Sequence, residues 1–485
     1  MNPPTEGITR RSFIRQASCA AVGSIALFNT LLNLRLISSA SAQGAGGSYK
    51  ALVCLFLAGG NDSFNMLVPR DAQSHETYRV VRGGLYNVAG TDGGLALPNA
   101  GQPGGILPIT PLGDLGGKQF GLHPAMQRLR GLFESEQAAF VCNVGSLIQP
   151  GMTRAMHDAG INIPFGLYSH ADQIEQWQTA YPEGRTTLGW AGRAADLLQS
   201  MNEDNGLAMN ISLGGTNIWQ NGESAFQYGL NPEGVSSLEG YEDSWDDDSW
   251  GSSPIRGAAV DSQLAMDYRN LLERTFAAKA VNAIDSYKIF QRATAVDLPA
   301  AVTFPQNYLG KSFQMVARAI AGRSILGAQR QTFFVQLGGW DHHDEVINSQ
   351  QVMLGQVSEA VGAFYDTLTA MGMADKVVTF TASDFGRTLT SNGRGSDHAW
   401  GGNHFVVGGG VRGRRLYGEY PDLAADNPLD TGRGRLIPTL SVDAYFAELA
   451  LWFGVSKSSL PLVIPNIGRF YDPASTAPPI GFLNS

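Results

Sequence analysis

Several short apolar runs in this chain lead straight into glycine pairs and acidic residues. Tyr49 to Ala58 (YKALVCLFLA) ends in Gly59-Gly60-Asn61-Asp62, and Thr332 to Leu337 ends in Gly338-Gly339-Trp340-Asp341. Lys376 to Ala382 meets Ser383-Asp384, Ala138 to Val144 is a further run, and His404 to Val407 precedes three glycines. Near-continuous β-branched and aromatic runs of this length read as strands buried on both faces, which predicts a largely parallel sheet. Between them, apolar residues recur every three or four positions over Asp261 to Gln291, Leu309 to Leu326, Ser349 to Met371 and Val442 to Trp452, the signature of helices. The pattern therefore predicts an α/β protein with a mostly parallel central sheet and helices on both faces.

Residues 203–257 break this rhythm. They are rich in Gly, Asn and Ser, and carry Glu239, Glu242, Asp243 and Asp246 to Asp248 among Tyr241, Trp245 and Trp250. They read as an acidic inserted excursion, either a lid or partner-facing loop or a solvated one.

The first 42 residues read as an address. Thr9-Arg10-Arg11-Ser12-Phe13-Ile14 precedes a modest apolar run from Ala20 to Leu34 and then Ala40-Ser41-Ala42. A charged region, a short hydrophobic region and a small-residue cleavage site in that order predict a twin-arginine signal peptide. The expected partner is the twin-arginine translocase, and the expected location is the periplasm or the exterior. Asn29, Asn33 and Arg35 interrupt the apolar run, so no permanent membrane span is expected. Residues 43–485 then form one domain.

Charge excludes one class of partner. The whole chain carries −9 and residues 1–42 carry four arginines against one glutamate, so the remainder sits near −12. An acidic protein gains nothing from counterion release, which argues against nucleic acid. Cys54 and Cys142 both fall in apolar runs, as two buried thiols or one disulfide. Gly408 to Gly413 matches a dinucleotide-binding spacing but opens no helix, and no GxSxG is present.

Polar, metal-capable residues follow the apolar runs at Asp62, at Asp341-His342-His343-Asp344, at Asp384 and in the loop Asp397-His398 to His404. In open parallel sheets ligands gather at the carboxyl ends of strands, so these groups are placed to meet. Mixed carboxylate and imidazole donors suit a divalent cation.

Several motifs carry a resemblance. FLAGGNDSFNMLVP (56–69), LHPAM (122–126), YSHADQ (168–173), GGWDHHDE (338–345), SDFGRT (383–388), SDHAWGGNHFVVGGG (396–410) and LYGEYP (416–421) together resemble the bacterial family known as domain of unknown function 1501. The passage through Ser383-Asp384-Phe385-Gly386 is also similar to the alkaline phosphatase and sulfatase superfamily. That resemblance implies an alkaline phosphatase-like fold and an exported metal-dependent hydrolase acting on a phosphate or sulfate ester or a related anionic group, on a small molecule or a polymer. The alternative is a non-catalytic binding protein that keeps the fold. The resemblance implies Asp62, Asp341, His343, Asp384 and His398 as ligands of one or two divalent ions, zinc, calcium or similar. It implies Ser169 as nucleophile at a helix N-terminus, where free N–H groups favour anions; an ordinary N-cap is the other reading. His170 either orients the reacting group or packs. Arg387 and Arg154 stand either as anion-holding forks or in salt bridges. Phe385 occupies a position where relatives of the superfamily place a ligand, and it cannot ligate.

Overall fold

The computed structural model describes residues 48–86, 94–202, 209–235, 241 and 254–484. The twin-arginine segment lies outside them. Nine strands form the main sheet among the described residues: β1 (Lys50–Leu57), β2 (Ala138–Gly145), β3 (Asn210–Ser212), β4 (Gln227–Gly229), β5 (Arg330–Leu337), β6 (Val377–Ser383), β7 (Gly402–Val407), β8 (Leu416–Tyr417) and β9 (Leu440–Ser441). Their spatial order is β8-β2-β7-β6-β1-β5-β3-β4, with β9 also on β2. A small three-stranded antiparallel sheet of Leu67–Pro69, Leu107–Ile109 and Phe120–Leu122 stands apart.

The sheet is mostly parallel, as its apolar strands imply. β1 is the central strand, parallel to β5 and β6, with Leu57 level with Leu337 on one side and Ser383 on the other. Only β7 runs against its neighbours β6 and β2. Alternate residues of β1 enter two separate cores: Ala51, Val53 and Leu55 on one face, Leu52, Cys54 and Phe56 on the other. Helices α3 (Tyr308–Ala321) and α4 (Val346–Ala370) cover the first face through Phe313, Val316, Leu354 and Phe364. Helices α2 (Trp190–Leu198) and α5 (Val442–Phe453) cover the second, where Trp190 stacks on Phe446 with centroids 4.9 Å apart. Full burial of each such aliphatic or aromatic side chain contributes about 1.5–3 kcal/mol. Both cysteines are buried free thiols.

Two expectations need correction. Residues 203–257 are not a surface excursion where they are described, because β3 and β4 extend the main sheet beyond β5. Asn210 and Thr332 bond through their side chains at 2.8 Å, which seats this short strand in spite of its polar sequence. Tyr241 is buried and donates to Asp261; the other acidic and aromatic residues of the excursion lie outside the described residues. The helix expected over Asp261 to Gln291 is two helices, Pro254–Leu264 and Leu271–Thr294. Asn270 accepts from the Leu272 amide and so starts the second, a competing cap that apolar periodicity does not register.

Candidate metal centre

The level ends of β1, β5 and β6 release their following residues side by side. Gly59, at φ 121, brings its backbone against Asp341, where any Cβ would lie 2.4 Å from the Asp341 nitrogen. The Gly59 amide donates to Asp384 Oδ1 at 3.0 Å, tying the three strand ends together. Because β7 is antiparallel, its leading loop arrives at the same edge. Residues 386–388 and 397–400 zip together through Gly386 N to Trp400 O, Thr388 N to Asp397 O and Ala399 N to Gly386 O, which delivers His398. Helix α1 (His170–Thr179) points its first residue, His170, into the same place.

Three imidazoles surround one carboxylate. Asp341 Oδ1 lies 3.1 Å from His343 Nε2 and 3.2 Å from His398 Nε2, while Asp341 Oδ2 lies 3.5 Å from His170 Nε2. The two nitrogens of His343 and His398 are themselves 3.1 Å apart. His170, Asp341 and His398 each offer one ligand atom, all within 4.8 Å of one another.

Every one of these rings is held from behind by its other nitrogen. His170 Nδ1 meets Asp384 Oδ2 at 2.7 Å, His343 Nδ1 meets Asp397 Oδ1 at 3.0 Å, and His398 Nδ1 meets the Tyr168 carbonyl at 2.9 Å. A carbonyl or ionised carboxylate can only accept, so each Nδ1 carries the hydrogen and each neutral ring turns an Nε2 lone pair inward. Two such lone pairs at 3.1 Å repel unless a proton or a cation lies between them. The donor set fits a divalent ion: ligands about 2.0–2.1 Å from a tetrahedral metal stand roughly 3.3 Å from each other. Outer acceptors on ligating histidines are the usual companions of such a site.

Nearby charges set the protonation. The hydrogen bond that His170 Nδ1 donates to Asp384 raises the His170 pKa above the ordinary histidine value, against the opposing effect of burial. Burial lowers that of His398, partly offset by its bond to the Tyr168 carbonyl. Burial pushes Asp397 up, but its bonds to Asn392, Arg433 and His343 prevail and bring it to about 2. At Asp341 burial is likewise outweighed, chiefly by Arg387, whose Nη1 lies 2.6 Å from Oδ1.

The structure brings together Asp341, His343, Asp384 and His398 of the expected ligands, together with His170. Asp384 lies behind His170 rather than beside Asp341. Asp62 is not in the cluster: it is fully buried in an ion pair with Arg82, whose Nη1 also donates to the Thr388 carbonyl at 3.1 Å. Both charges are out of water, and each neutralises the other. Arg387 is no free fork either. Its nitrogens are taken by Asp341, the Gly59 carbonyl and Ser396, because the whole side chain is buried. Arg154 lies apart from the centre, in long pairs with Asp158 and Asp426. Ser169 is the N-cap of α1 but its hydroxyl does not cap; the side chain faces Asp172, which Arg185 chiefly holds. Phe385 packs its ring 4.8 Å from that of His170 and 4.5 Å from that of His398. Gly60 makes room for it, since a Cβ there would lie 2.5 Å from the ring.

Sequence reasoning undervalued His170 and overlooked Tyr168. Tyr168 sits at φ 72, a conformation that a bulky side chain rarely adopts, and this turns its carbonyl to His398. The YSHADQ motif was the available signal for both.

Fold and site together define an α/β protein with a histidine-rich candidate metal centre at the carboxyl edge of its sheet. The chain belongs to the family described as "Protein of unknown function (DUF1501)", whose profile matches residues 49–432. No curated protein matches it. Among solved structures it is similar to Ps i-CgsB in complex with k-i-k-neocarrahexaose, at 9% identity and TM-score 0.35, covering 88% of this chain and 77% of that one. It is also similar to the PsFucS1 sulfatase from Pseudoalteromonas sp., at 11% identity and TM-score 0.30, covering 87% and 71%.

Proposed function

We propose that the chain is an exported metal-dependent hydrolase acting on a phosphate or sulfate ester, with one divalent ion bound by Asp341, His343 and His398. The observation that carries this reading is the convergence of two inward lone pairs and one carboxylate oxygen within 3.2 Å. Imidazole-rich donors favour zinc or a similar transition ion over calcium, which takes oxygen ligands. A divalent ion there supplies Lewis-acid charge that polarises an ester's oxygens and acidifies water.

His170 decides between the readings. It lies on the other oxygen of Asp341, at the longer distance of 3.5 Å. With three protein ligands a position is left open for substrate, and His170, oriented by Asp384, accepts the proton of the attacking hydroxyl. That hydroxyl is water, or Ser169 after a rotation away from Asp172. Were His170 instead a fourth ligand, the centre would be closed and would suit the non-catalytic binding protein. Buried Arg387 already supplies one fixed positive charge against Asp341, which favours one ion over two. Among the described residues no helix is long and apolar enough to cross a membrane. Export by the twin-arginine route rests on residues 1–42.

Hydrolysis of 4-nitrophenyl phosphate and 4-nitrophenyl sulfate tests the reading. Turnover of one ester should vanish on chelation and return with zinc or manganese. A protein that binds one ion yet turns over neither ester is the binding protein.

A further inference from the structure

With Arg387 and Arg154 committed elsewhere, the oxyanion of a substrate needs another partner, and the loop 430–436 holds one. Asp430, itself buried, accepts from the amides of Gly432 and Gly434 at 2.8 Å each. Thr431 bonds the Arg435 carbonyl through both its amide and its hydroxyl, at 3.0 Å. The loop is therefore fixed before any ligand arrives, which lowers the ordering cost of binding. It sends two arginines toward the two histidines. Arg433 pairs with Asp397, the carboxylate behind His343, at 2.6 Å. Arg435 donates its Nε to the His398 carbonyl at 3.0 Å and lies over the Tyr168 ring, 5.3 Å from its centroid.

Among the described residues, the two terminal nitrogens of Arg435 have neither a hydrogen bond nor an ion pair, and the residue is half-buried. A guanidinium is planar and rigid, so anchoring Nε at His398 also fixes the outer fork beside that histidine. We propose that Arg435 is the anion-binding residue of this centre, gripping a tetrahedral oxyanion, phosphate or sulfate, with its two terminal N–H groups. The proposal rests on the reading of the centre as one that takes an anionic ester.

The test is direct binding of inorganic phosphate and of inorganic sulfate to the full-length, metal-loaded protein by calorimetry, with metal content measured in each sample. Arg435→Gln should weaken the favoured oxyanion by about tenfold or more, as expected for loss of charge-assisted bonds, at unchanged metal content. Arg435→Lys keeps the charge but not the fork, and should fall between the two. Arg154→Gln should leave binding as in the wild type. Should Arg435→Gln disturb metal content or folding, Arg435→Lys alone decides: weaker binding supports the assignment, and wild-type binding overturns it. Equal affinity of wild type and both Arg435 variants overturns it, as does a wild type that binds neither anion at millimolar concentration. Oxyanion binding that depends on Arg435 without ester turnover would uphold this assignment and remove only the hydrolase.

Discussion

His170 and Asp384 meet at 2.7 Å although 214 residues separate them in the chain. The pair joins the first residue of α1 to the end of β6 and turns the remaining ring nitrogen of His170 toward Asp341. Asp384→Asn keeps the shape and removes the charge. In metal-free protein the His170 pKa, raised above its ordinary value by Asp384, should fall in the variant, as an NMR pH titration of the ring would show. If His170 contributes to holding the ion, metal affinity should fall by about 10–100-fold as well. An unchanged His170 titration would break the proposed link.

Asp341 is the one carboxylate that faces all three rings. Asp341→Ala should reduce bound metal from one ion per chain to background, read by elemental analysis of purified protein. Retention of a full equivalent would place the ion elsewhere.

The Asp62–Arg82 pair should behave as structure. Asp62→Ala leaves Arg82 buried and uncompensated, which costs about 3–5 kcal/mol of stability in urea unfolding. Metal content of the folded variant should not change. A folded Asp62→Ala protein that has lost its ion would restore Asp62 as a ligand.

Asp443 gives the fold a pH dependence away from the centre. It lies in the first turn of α5, fully buried, with neither carboxyl oxygen hydrogen-bonded, and burial lifts its pKa to about 8. The folded protein thus keeps a proton that the unfolded chain releases near pH 3.8. The associated stability is complete below that value and is lost as pH rises to about 8, up to roughly 6 kcal/mol at 1.36 kcal/mol per unit. Asp443→Asn should show a flatter melting temperature between pH 5 and 8 than the wild type. Parallel pH profiles would contradict this.

The strands were legible because a run buried on both faces has to be apolar along its whole length. All five runs became strands within two residues of their expected ends. β3 was not legible, since three polar-flanked residues join the sheet only through neighbours such as Thr332. At the site, convergence of Asp341, His343, Asp384 and His398 followed from strand ends lying on one edge. The same rule misplaced Asp62, because it locates a residue and not the direction of its side chain; Arg82, the residue that caps the C-terminus of the helix Ala72–Val81, takes that carboxylate. Arg387 failed likewise, its fork consumed by partners as distant as Gly59. Arg435 was missed since only the fold shows which guanidinium keeps its outer nitrogens free.

The most direct test of the centre is an anomalous difference map from crystals grown with zinc. It should show one peak about 2.0–2.2 Å from His343 Nε2, His398 Nε2 and an oxygen of Asp341. No peak among those three residues, or a stronger one beside Asp62, would contradict the account.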